Sequence, residues 1–291
     1  MIEKGSAIAL GFFDGVHTAH RKIIESAVGY AKLNNLSPIA LTFDKSPSEV
    51  LSALEVSYLT NNAGKEEIIS SLGAKAEFLP ADREFLSMEP TKFIEKILVG
   101  KYNIKFAVCG YNYRFGKNGQ GDTDLLAQEG KRLGFEVCVL PCEMHDGESV
   151  SSSRIRKLLA NGEIVLANKL LGRNFFIKGT VSEGKKLGRK LGFPTANVFF
   201  EKNTVHLKNG VYKSLITVEG ESYTAITNVG TNPTVCDKTL RSETYIPDFD
   251  GDLYGKEIRI EFLDFLRPEI KFESVEKLKE QISEDIKRLI L

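Results

Sequence analysis

Along the first half of the chain, short apolar runs alternate with stretches whose apolar residues recur every three or four positions. The runs predict strands over residues 7–10, 38–43, 76–79, 106–109 and 136–140. The periodic stretches predict helices over 20–33, 90–98, 122–133 and 151–160, and one that Thr60 caps and Gly73 ends. Buried strands separated by helices argue a doubly wound parallel sheet, α/β in class. Near residue 170 the period changes from four to two. Alternation over 175–181, 210–218, 222–228, 243–247 and 256–263, punctuated by glycine turns, predicts a small antiparallel β-barrel. A last helix, 274 to about 289, puts Val275, Leu278, Ile282, Ile286 and Leu289 on one face. The expected domains are 1–170 and 171–291.

Composition narrows the partners. At 291 residues the chain is long enough for two domains. Its 39 basic and 39 acidic residues cancel, so no nucleic-acid or membrane-surface partner is expected. No apolar run approaches the roughly 18 residues of a spanning helix. The first strand starts a few residues after Met1, so no signal peptide is expected. Cys109, Cys138, Cys142 and Cys236 are too few for a disulfide framework, and a cytoplasmic setting is expected. Nothing in the sequence sets the oligomeric state.

The chemistry-bearing residues collect after the predicted strands, where open α/β sheets bind ligands. The first strand runs into Gly11-Phe12-Phe13-Asp14-Gly15-Val16-His17-Thr18-Ala19-His20. A strand, a glycine turn and a helix start offer backbone N–H groups and a dipole end to a phosphate. His17 and His20 can both face such an anion, as neutral donors or as imidazolium. Ser151, Ser152 and Ser153 open another helix, where hydroxyls cap free N–H groups or bond phosphate oxygens. Arg154 and Arg156, two apart, diverge by about 200°, so only one of them can point at a ligand there; both solvated beside an ordinary cap is the other reading. Tyr111 to Gly119, with Asn112 and Phe115, would suit a planar ring with polar edges, or would be a plain surface loop.

In the second half, Gly184, Gly188, Lys190 and Gly192 combine glycines with cations, which suits close backbone approach to phosphates. Thr195 and Asn197, just after Pro194, share one face of an extended chain. Two neutral oxygen ligands there suit Mg²⁺. Asn228 opens a polar turn ending at Thr234. Glu243 is either a solvated strand residue or a general base in a barrel mouth.

Together these residues resemble the bifunctional riboflavin kinase/FMN adenylyltransferase family, over nearly the whole chain. Gly11 to His20 resembles its nucleotidylyltransferase signature. Gly188 to Asn197, Asn228 to Thr234, Gly251-Asp252-Leu253-Tyr254-Gly255 and Arg267-Pro268-Glu269-Ile270-Lys271-Phe272 resemble its kinase motifs. The resemblance implies transfer of the ATP γ-phosphate to riboflavin, giving FMN, and adenylylation of FMN to FAD with release of pyrophosphate. It implies Mg²⁺ at Thr195 and Asn197, Glu243 as base, and flavin contacts at Asn228, Arg267 and Phe272. Gly184, Gly188, Lys190, Gly192 and Pro194 would line the kinase ATP site. In the other module Gly11, Phe13, Asp14, Gly15, His17, His20, Ser151, Ser152, Ser153 and Arg156 would bind ATP, and Asn112 and Phe115 flavin. Four positions depart from the family pattern. Ala19 replaces a glycine, which brings strain if that glycine serves positive φ and obstructs ATP if it serves close approach. Asn112 replaces an aspartate and Tyr245 a common histidine, and Pro47 alone remains of two prolines. Three of the four fall in the adenylyltransferase half. A chain with one working module, or a flavin or nucleotide sensor on the same scaffold, is therefore the alternative.

Overall fold

The computed structural model describes residues 4–52, 55–183, 192–231, 240–247 and 249–290. Contacts divide the chain into two units, Met1–Ser152 and Ser153–Leu291.

The first unit holds a five-stranded, all-parallel sheet in the order β3-β2-β1-β4-β5. The strands are β1 (Ser6–Leu10), β2 (Ser37–Phe43), β3 (Lys75–Leu79), β4 (Ile104–Gly110) and β5 (Glu136–Leu140). Every residue of β1 is buried, as its unbroken apolar run requires of a central parallel strand. The helices are α1 (Thr18–Leu33), α2 (Pro47–Ser52), α3 (Asn62–Ser71), α4 (Arg83–Leu86), α5 (Pro90–Lys92) and α6 (Thr123–Leu133). α5 runs on through Phe93–Lys101 in wider turns, in which Tyr102 N–H donates to Ile97 O. A two-stranded hairpin, β6 (Met144–His145) and β7 (Glu148–Ser149), follows β5. The strand order reverses direction at β1, so the crevice beyond the ends of β1 and β4 is the topological switch point.

One detail corrects the sequence expectation. Asn61, not Thr60, caps α3, accepting from Gly64 N–H at 2.8 Å. α7 (Ser152–Asn161) and α8 (Ile164–Leu171) lie against the second unit's sheet. There Leu159 O accepts from Lys208 N, and Asn168 bonds Phe262 O and Phe175 N.

The second unit is a six-stranded antiparallel sheet in the order β8-β13-β10-β11-β12-β9. Its strands are β8 (Phe175–Thr180), β9 (Thr195–Phe199), β10 (Gly210–Val218), β11 (Glu221–Thr231), β12 (Leu240–Tyr245) and β13 (Glu257–Arg267). Ser182 N–H donates to Asn197 O, drawing the two edges together into a barrel. A side chain at Gly179 would meet Val198 at 2.4 Å, so glycine permits that closure. The interior is partly polar. Ser214, Thr227 and Thr244 are wholly buried and bond one another at 2.7 and 3.0 Å. The terminal helix α9 (Val275–Ile290) lies beside the barrel with its apolar face only half-covered, and Val275 is exposed. Its buried residue is Asp285, which takes the Arg267 guanidinium in a two-pronged ion pair at 2.8–3.1 Å.

Candidate active site

Within the first unit, the turn after β1 is built from strained backbone. Phe13, Gly15 and Val16 all have positive φ, at 54°, 77° and 40°. A β-branched residue is rarely found there, so the conformation must be held from outside. The segment before α3 supplies the hold. Asp14, 1% exposed, accepts from Leu59 N–H at 3.0 Å and Thr60 N–H at 3.4 Å. Thr60 Oγ1 in turn accepts from Gly15 N–H at 3.2 Å. Asp14, expected at ATP, thus spends its carboxylate on the turn itself.

That turn delivers the two histidines. His17 caps α1, its Nδ1 accepting from His20 N–H at 3.4 Å. An accepting Nδ1 carries no proton, which leaves Nε2–H as the donor. The two rings stack at 3.6 Å, and Phe13 meets His20 edge-on. Burial, then the neighbouring His17, then Lys65 hold the His20 pKa well below its ordinary value, so His20 is neutral at pH 7. Its Nδ1 is buried with no hydrogen-bond partner. Ala19 lies in the first turn of α1 with helical backbone. The expected positive-φ cost of replacing glycine there therefore does not arise. Ser152 Oγ donates to Asp14 O at 2.9 Å, joining the serine cluster to the turn. Ser153 and Arg156 follow on α7.

In the second unit the strand register aligns expected residues. Asn197 on β9 lies opposite Glu243 on β12, and Glu243 opposite Asn228 on β11. Val211 on β10 continues the row to Arg267 on β13. Directly opposed residues share a face of the sheet, so this row is one surface. Glu243 Oε1 lies 2.6 Å from Arg241 Nη2, two residues along the same strand. A cavity of about 580 Å³ opens beside the row, lined by Thr195, Asn197, Thr244, Asp250, Asp252 and Tyr254 among others. Glu243 is not in its lining; its carboxylate is turned to Arg241. Asn197 Nδ2 donates to Thr195 O, which leaves its Oδ1 as an acceptor. With the Thr195 hydroxyl, that makes a neutral, hard-oxygen pair of the kind Mg²⁺ takes alongside water and phosphate.

Comparison with known proteins places both units. A family profile described as FAD synthetase matches residues 1–154, and one described as riboflavin kinase matches residues 171–290. A bifunctional riboflavin kinase/FMN adenylyltransferase of Listeria monocytogenes is 38% identical, covering 96% of this chain and 89% of that one. The chain belongs to that bifunctional family. Relatives of the same description from Bacillus subtilis and Escherichia coli are 36% and 32% identical over 96% and 97% of the chain. A solved structure from Streptococcus pneumoniae, described as a macrolide-efflux protein, is 29% identical with a TM-score of 0.89, covering 99% of this chain and 94% of that one. No helix among the described residues here is long and apolar enough to cross a membrane.

Against the family pattern, the expected residues divide. His17, His20, Gly11, Phe13, Gly15, Ser151 and Ser152 lie in the first unit at or near the switch point, and Thr195, Asn197, Glu243 and Asn228 stand together on the barrel. Gly192 and Pro194 lead into β9, and Phe193 packs its ring against Tyr245 at 5.4 Å. Gly184, Gly188, Lys190 and Asn232 to Thr234 lie outside the described residues. Two expected flavin contacts have partners within the protein. Phe115 is a core residue, 7% exposed and packed on Phe93 and Tyr113. Arg267 is held by Asp285 and stands 5.9 Å from the Phe272 ring. Asn112 is exposed on the loop after β4. The sequence reading missed Thr60, Arg241 and Asp285. Asp285 leaves a signal: it interrupts the apolar stripe of Leu278, Ile282, Ile286 and Leu289.

Proposed function

We infer that the chain carries both activities of its family: phosphorylation of riboflavin to FMN by ATP, and adenylylation of FMN to FAD. The row Asn197–Glu243–Asn228 supports the first most directly, because strand register alone brings an oxygen ligand, a carboxylate and an amide onto one surface.

In the kinase reaction, Glu243 orients the ribityl 5′-hydroxyl and accepts its proton as the oxygen attacks the ATP γ-phosphorus. Asn228, opposite Glu243 on the next strand, is assigned to the flavin side of the substrate. Thr195 and Asn197 would hold Mg²⁺, which neutralises phosphate charge when bound. Gly184, Gly188, Lys190 and Gly192 are assigned to the phosphates. Release of Glu243 from Arg241 frees the base and leaves a guanidinium beside the reacting groups. Phosphoryl transfer needs mainly such positioning and charge balance.

In the adenylyl reaction, an FMN phosphate oxygen attacks the α-phosphorus of ATP. The new P–O bond replaces the bond to pyrophosphate, which leaves, and no covalent intermediate forms. The His17 Nε2–H, the neutral His20 and the free N–H groups of α1 stabilise charge on the phosphates. Ser151 and Ser152 are assigned to the same nucleotide. Use of ATP, with Cys109, Cys138 and Cys142 as free thiols, fits a reducing, cytoplasmic setting.

A matched pair of variants tests this division. Glu243→Gln should lower FMN formation by about 10²-fold or more and leave conversion of FMN to FAD intact. His20→Ala should do the reverse, costing on the order of 3 kcal/mol of transition-state stabilisation in FAD formation. A loss of both activities in either single variant would contradict two separate sites.

A further inference from the structure

Lys65 is a buried cation that the mechanism above leaves unused. It stands on α3 in the apolar stripe it shares with Ile68, Ile69 and Leu72, and is 1% exposed. Its Nζ donates to Phe43 O, at the end of β2, at 3.4 Å. The same ammonium lies 4.3 Å above the Phe12 ring and 5.7 Å from the Phe78 ring. The charges of Asp14 in the signature turn and Asp44 after β2 favour its own, and its charge in turn disfavours protonation of His20 on α1.

Burial lowers the Lys65 pKa to about 8, with Asp14 and then Asp44 opposing the shift. The group is therefore still charged at neutral pH, at a cost in desolvation. A methionine of similar length would fill the slot without that cost. A buried charge kept against stability is what a functional residue leaves behind. Its neighbours locate the function. Phe12 and Asp14 flank the strained Phe13, and Thr60, five residues before Lys65, bonds Gly15. The 59–65 segment thus grips the turn at Phe12, Asp14 and Gly15.

We propose that Lys65 is a positioning residue for adenylyl transfer: its ammonium holds Phe12, and so fixes the turn that carries His17 and His20. The proposal rests on the assignment of adenylyl transfer to this module. A cation on an aromatic face is a directional contact in a dry site, which an apolar side chain does not reproduce.

The test uses the full-length protein and Lys65→Met. Conversion of FMN to FAD, conversion of riboflavin to FMN, and hydrogen exchange of the β1 and α1 amides are measured side by side. The expected result is a kcat for FAD formation lowered about tenfold or more, with unchanged FMN formation and exchange no faster than in the wild type. Unchanged FAD formation would overturn the proposal. So would a loss accompanied by faster exchange in β1 and α1, because Lys65 would then serve the fold alone. A wild-type protein that makes FMN but no FAD would fail in the first arm, refuting the assigned activity and this role with it.

Discussion

Ala19 shows how one position changes meaning once its backbone is known. Read in sequence, it replaces a family glycine and threatens either strain or obstruction. On the first turn of α1 it is helical and unstrained. Only its methyl group, among the N–H groups offered to a phosphate, remains to matter. Ala19→Gly should raise kcat/KM for ATP in FAD formation, and cost about 0.5–1 kcal/mol of stability because glycine loses more freedom in a helix. A lower kcat/KM would mean that the site has adapted to alanine; the two rates and a urea titration measure both effects. Rare side chains stand out in a sequence: the paired histidines, and Glu243 as the one carboxylate of β12. Packing partners do not. That Phe115 fills the core and Arg267 anchors a helix is announced by no motif.

Elements with a strong physical signature were the easiest to foresee. The five parallel strands are apolar runs because both faces are covered. β9 did not stand out as a strand, because Thr195-Ala196-Asn197-Val198 is too short an alternation, following directly on a glycine- and lysine-rich stretch. α8 escaped because Val165, exposed, and Leu166 add apolar residues away from the buried face of Ile164, Ala167, Leu170 and Leu171, which blurs the period. At the other end, α9 is amphipathic but its apolar face is only half-covered, and the Arg267–Asp285 pair carries much of its attachment. Removing one partner strands a buried charge. Asp285→Ala should therefore destabilise the barrel unit by about 3–5 kcal/mol, read as an earlier thermal transition. A change under about 1 kcal/mol would mean that α9 is held by its apolar contacts alone.

For the molecule as a whole, two sites of different construction follow from two kinds of sheet. A parallel sheet creates its site at a switch point, where backbone N–H groups and a helix end converge. An antiparallel barrel creates its site from register, lining Asn197, Glu243 and Asn228 across three strands. Sequence period announced both architectures. It could not reveal the grip of Thr60 and Lys65 on the signature turn, because that contact joins residues about fifty positions apart. The central claim is that both sites work in one chain despite Ala19 and Asn112. The direct measurement is to incubate the protein with riboflavin, ATP and Mg²⁺ and separate the flavins over time. The account predicts FMN first, then FAD with matching pyrophosphate. FMN that accumulates without FAD, or riboflavin that is never phosphorylated, would contradict it.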